Sequence, residues 1–113
     1  MVLEYVYAPK MRSLRPGSGP DGHTKMDKQD GRGPFGVIVY NRPLTYNEIL
    51  NWNLATVDMP RLSYYVYGVH PNGNKELLFV WDKSMPGAFD EAVRVAEDRQ
   101  LEFTDYAVGP KTS

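Results

Sequence analysis

Two histidines, His23 and His70, are the only side chains of this 113-residue chain placed to act as general bases near neutral pH. His23 lies in a Gly/Pro-rich stretch and His70 stands before Pro71-Asn72-Gly73. Neither has a second His or a carboxylate at metal-ligand spacing, so both read as solvated loop histidines. Gly17, Gly19 and Gly22 fall into a GxGxxG pattern, but Pro20 interrupts it and no βαβ unit follows, which argues against a phosphate loop. The acidic pairs Asp90-Glu91 and Glu97-Asp98 read as the solvated side of an amphipathic helix. The chain has no cysteine, which removes disulfides, thiolate ligation and a thiol nucleophile together. These residues assign no catalytic, metal or cofactor site, and the reading leans away from an enzyme.

What remains for function is contact chemistry. Tyrosine is abundant and sits in strand-like runs: Tyr5-Val6-Tyr7, Val39-Tyr40 and Tyr65-Val66-Tyr67. A tyrosine ring gives a large rigid contact while its hydroxyl tolerates water, which suits an interface. Basic residues gather early. Residues 1–34 hold six basic groups (Lys10, Arg12, Arg15, Lys25, Lys28, Arg32) against four acidic, net +2, and residues 35–113 hold seven against ten, net -3. The candidate binding residues are therefore Tyr40, Tyr65, Tyr67, Arg12, Arg15 and Arg32.

The elements that must position them follow from pattern. Val2 to Tyr7 favours a strand that Ala8-Pro9 ends. Lys10 to Pro34 is rich in Gly and Pro and poor in apolar residues, so it reads as a long arm or loop with little to offset its ordering entropy. Phe35 to Tyr40 is a strand. Thr45-Tyr46-Asn47-Glu48 fits a capping box, with Tyr46, Ile49, Leu50 and Leu54 on one face of a helix ending near Leu54. Leu62–His70 and Lys75–Asp82 flank Asn72-Gly73, the signal for a two-residue type I′ hairpin. That register pairs Val69 with Glu76, Tyr67 with Leu78 and Tyr65 with Val80. It places Tyr64, Val66, Leu77, Phe79 and Trp81 toward the helices, and Tyr65, Tyr67, Leu78 and Val80 on the open face. Ser84 and Pro86 start a second helix with Ala88, Phe89, Ala92, Val93, Val95 and Ala96 as its apolar arc, and Asp90 to Arg94 as an i,i+4 pair. Phe103 to Val108 reads as a last strand.

From residue 35 this order is β-α-β-β-α-β. The fold expected is α+β and ferredoxin-like: a four-stranded antiparallel sheet with two helices on one face, plus an extra N-terminal strand and a long Gly/Pro-rich arm. The domain division expected is 1–34 for the strand and arm and 35–113 for the α+β domain. The chain's size fits one core, and its 42% hydrophobic and 24% charged residues are ordinary for a small soluble domain. No run is long and apolar enough to span a membrane, no secretory signal precedes the fold, and a cytoplasmic protein is expected.

The element order resembles that of RNA-recognition-motif domains, which stack bases on aromatics of two central strands. Val37-Ile38-Val39-Tyr40-Asn41 is similar to that family's first-strand motif, with Ile38 in place of the stacking aromatic. Lys75-Glu76-Leu77-Leu78-Phe79-Val80 keeps the lysine and Phe79 but has Glu76 and Leu77 where the family has glycine and an aromatic. The resemblance implies single-stranded nucleic-acid binding, an alternative here. The main expectation is a non-enzymatic protein-interaction module, a small regulator or inhibitor of a larger protein or a homo-oligomer, using the tyrosine-rich sheet face and the arm. A small-ligand enzyme with a site between paired sheets stands third.

Overall fold

Strand-forming runs separated by turn residues organise the chain as β1 (Tyr5–Pro9), β2 (His23–Asp27), β3 (Val37–Tyr40), α1 (Tyr46–Asn51), β4 (Leu54–Asp58), β5 (Tyr64–Val69), β6 (Lys75–Trp81), α2 (Pro86–Asp98) and β7 (Asp105–Pro110) in a computed structural model. Residues 3–10, 19–83 and 86–111 are described. Arg12, Arg15, the Pro16-Gly17-Ser18 part of the arm and the expected Ser84 cap lie outside them.

The fold is α+β, with two antiparallel sheets in place of the single ferredoxin-like sheet expected. One has the order β2-β3-β1-β4 and the other β6-β5-β7. A ferredoxin-like sheet requires the residue 35–40 strand to lie beside the last strand. Instead β3 uses one edge for β1 and the other for β2, while β7 pairs with β5. The cause is visible in β1. All five of its residues are buried, so it is a central strand rather than an addition to a finished sheet. The pairing of β1 and β2 with β3 crosses the 34/35 boundary. Compact units are formed by Met1–Pro43 with Glu48–Pro60, and by Leu44–Asn47 with Arg61–Ser113.

In the first unit the ladder sorts side chains by parity. Tyr5 opposes Tyr40 and Tyr7 opposes Ile38 on one face. Val6, Ala8, Val37 and Val39 form a buried cluster on the other, with Val57 against it. Described parts of the arm pack on both faces of this sheet. A Cβ on Gly19 would lie 2.7 Å from the Tyr40 hydroxyl, and one on Gly33 would lie 2.7 Å from the Ala8 Cβ and 2.5 Å from the Gly36 carbonyl oxygen. Glycine is what lets the backbone approach so closely. The arm also supplies β2, whose residues are mostly exposed and which is held by its ladder to β3. Hydrophobic pattern could not announce such a strand.

The first helix is shorter than expected. It stops at Asn51, and Asn53 adopts a left-handed φ of 52° before Leu54 opens β4. Asparagine tolerates that conformation, and Thr56 and Val57 favour a strand. In the second unit α2 lies against β5 and β6. Its Ala88, Phe89, Ala92 and Ala96 are buried, as the apolar arc requires. It ends in a Schellman motif: Leu101 N–H donates to the Ala96 carbonyl at 2.8 Å and Gln100 N–H to the Glu97 carbonyl at 3.1 Å, with Gln100 at φ 57°.

Candidate interaction surface

The β5–β6 hairpin sets the surface. Its loop is one residue longer than the two-residue turn expected. Gly73 N–H donates to the His70 carbonyl and His70 N–H to the Asn74 carbonyl, both at 2.8 Å. Only Gly73 has positive φ, at 88°. This is a type I turn on Pro71-Asn72 followed by a left-handed glycine, a geometry that proline at the first central position favours. Near the turn the register is therefore shifted by one, pairing Val69 with Lys75 and Tyr67 with Leu77. A bulge between Val66 and Tyr67 then absorbs Leu78 and restores the expected pairing of Tyr65 with Val80.

The bulge exchanges two leucines. Leu78, expected on the open face, is buried, and Leu77, expected toward the helices, is 50% exposed. The helix-side core holds Tyr64, Val66, Leu78 and Val108. Beside it runs a chain of rings: Phe89–Tyr46 at 5.3 Å, Tyr46–Tyr106 at 5.8 Å, Tyr106–Phe103 at 5.8 Å and Phe103–His70 at 4.9 Å. Phe103 covers Gly68, where a Cβ would sit 2.6 Å from the ring. Burial pushes the Tyr106 phenol up, which keeps it neutral.

Directly paired residues of an antiparallel ladder share a face. The opposite face therefore joins Tyr65 and Tyr67 of β5 to Val80 and Leu77 of β6. The two tyrosines are half-buried with ring centroids 6.2 Å apart, and Val80 is 45% exposed. The Tyr67 ring lies over Gly109 of β7, where a Cβ would meet it at an ordinary contact distance of 3.8 Å. Four large apolar or aromatic side chains thus form one patch on one sheet face.

Tyr40 and Arg32 are each engaged within the first unit. Tyr40 is fully buried in the four-stranded sheet, its hydroxyl donating to the Pro20 carbonyl at 2.6 Å, and burial pushes its phenol up to about 12. Arg32 is committed to carboxylates. It holds Asp30 at 2.7 Å and reaches Asp58 at 3.5 Å. The Arg32 side-chain bond, then its backbone N–H, pulls the Asp30 carboxyl down to about 2. Arg12 and Arg15 lie outside the described residues. Tyr65 and Tyr67 are the two that the structure brings together, while Leu77 was placed on the wrong side by the register error. Pro71 was the available signal for the longer turn; nothing in the sequence marks the bulge.

His70 Nε2 lies 3.1 Å from Glu76 Oε1, and His23 meets the Tyr40 ring edge at 6.5 Å. On α2, Arg94 bonds Glu91 and Asp98, the latter at 2.9 Å, in place of the expected Asp90 pair. Among the described residues no three His, Asp or Glu side chains converge as metal ligands. No helix among them is long and apolar enough to cross a membrane. An open cleft of about 380 Å³ between β6 and α2 is lined by Trp81, Lys83 and Glu91 among others. Of its charged groups, Lys83 lies over the Trp81 ring at 5.7 Å and Glu91 is bonded to Arg94. Comparison with protein-family models, curated proteins and solved structures gives no match to this chain.

Proposed function

We propose that this chain is a non-enzymatic protein-interaction module whose contact surface is the face of β5 and β6 carrying Tyr65, Tyr67, Leu77 and Val80. The observation that supports it is the exposure of Leu77 and Val80, 50% and 45%, directly across the ladder from a tyrosine pair. Exposed apolar side chains grouped beside aromatics are the composition of an interface core, whereas single scattered ones carry no meaning. Of the arm's arginines, the described Arg32 is bound to Asp30 and Asp58.

The test is the mass of the purified chain against concentration, for the parent and for the double variant Tyr65→Ser/Tyr67→Ser. Aromatics at an interface centre each contribute about 2 kcal/mol or more. The parent should associate and the variant should remain monomeric, with circular dichroism confirming its fold. Equal association of both proteins would remove this face from the interface.

A further inference from the structure

β6 is the outer strand of the β6-β5-β7 sheet, so one of its edges has no strand neighbour among the described residues. Hydrogen-bonded and non-hydrogen-bonded pairs alternate along an antiparallel ladder. The His70–Asn74 bond closes the hairpin, so His70, Gly68, Val66 and Tyr64 are the β5 residues whose backbone groups face β6. The odd-numbered neighbours face β7, as the bonds to the carbonyls of Val69 (from Thr104 N–H) and Ser63 (from Lys111 N–H) show, each 2.8 Å. On β6 it follows that Glu76, Phe79 and Trp81 bond inward. Lys75, Leu77 and Val80 direct their N–H and C=O groups outward, and Asp82 continues the pattern. The bulge is what makes Leu77 and Val80, three positions apart, equivalent in this respect. All four outward residues are exposed.

We infer that two copies associate antiparallel along β6 about a two-fold axis between Leu78 and Phe79. In that register Leu77 lies opposite Val80 of the second copy, twice, and Lys75 lies opposite Asp82, also twice. Both strands carry the same bulge, so the spacing matches by symmetry, and the contact is isologous and closed. Lys75 and Asp82 have no ion-pair partner among the described residues, and the register gives each one. Pairing also places the two tyrosine-bearing faces side by side in one six-stranded sheet, so the two apolar patches become continuous. Strand addition at an open edge supplies main-chain bonds for affinity and side-chain pairs for register. This inference rests on the interaction reading above and names the partner as a second copy of the chain.

Two sets of variants test it by sedimentation equilibrium. Val80→Pro removes an outward N–H and leaves the β5 ladder intact, a change an edge strand tolerates. It should abolish the dimer while circular dichroism is unchanged. Lys75→Asp alone and Asp82→Lys alone each set like charges opposite one another at two places and should weaken the dimer about tenfold. Combining Lys75→Asp with Asp82→Lys should restore parental affinity, which a merely structural effect would not. A dimer indifferent to Val80→Pro, or a double swap no tighter than the singles, would overturn the edge register. If Tyr65→Ser/Tyr67→Ser still abolished association in that case, the face reading would stand and only the edge pairing would fall. A parent chain that is monomeric throughout overturns the self-pairing outright.

Discussion

At the scale of single residues, Tyr40 shows how a side chain chosen for its chemistry is used by the fold instead. Its hydroxyl is satisfied by the Pro20 carbonyl inside the sheet core. Tyr40→Phe should cost about 1–2 kcal/mol of stability, the value of a buried hydrogen bond whose acceptor is left unpaired, measured by urea unfolding. The same burial makes a pH prediction. An unfolded tyrosine ionises near pH 10 while folded Tyr40 holds its proton to about 12. Above pH 10 the unfolded state therefore binds fewer protons, and stability falls between pH 10 and about 12. Tyr40→Phe should flatten that fall. Asp30 runs the other way: its carboxyl is lowered from 3.8 to about 2, so its contribution is present above 3.8 and fades as pH drops to 2. Carbon-detected titration of Asp30 should give a midpoint near 2 in the parent and a higher one in Arg32→Ala.

At the scale of elements, the strands and helix whose residues alternate or recur with period were legible: β1, β3, β5, β6, α2 and β7 lie near their expected ranges. The missed strands, β2 and β4, lack that signal. β2 is His-Thr-Lys-Met-Asp, an exposed edge strand held by backbone bonds, and β4 begins where the helical face of Tyr46, Ile49 and Leu50 seemed to continue to Leu54. Close backbone approach was equally invisible. Gly33→Ala would press a Cβ against Ala8 and the Gly36 carbonyl, and should cost about 1–3 kcal/mol by thermal or urea unfolding. The C-terminus of α2 offers the opposite sign. Gln100 occupies a left-handed position that glycine takes without strain, so Gln100→Gly should gain about 0.5–1 kcal/mol.

At the scale of the molecule, local sequence signals were mostly sound and sheet membership was not, because it depends on which edges compete for one strand. The strand at residues 37–40 had two earlier partners in β1 and β2, and that competition decided the topology. The functional surface changed accordingly. Tyr65 and Tyr67 kept their shared face with Val80, Leu77 joined them through the hairpin's shifted register and bulge, and Tyr40 went to the core of another sheet. A nucleic-acid reading would draw its affinity from cations free to meet phosphates, and Arg32 is not one of them. The account as a whole stands on association through the β5–β6 face. It is tested most directly by sedimentation equilibrium of the unaltered chain from about 1 to 100 μM, a range spanning association free energies of about −8 to −5.5 kcal/mol. The mass should rise from 12.9 kDa toward twice that value with increasing concentration. A mass fixed at 12.9 kDa across the range would contradict it.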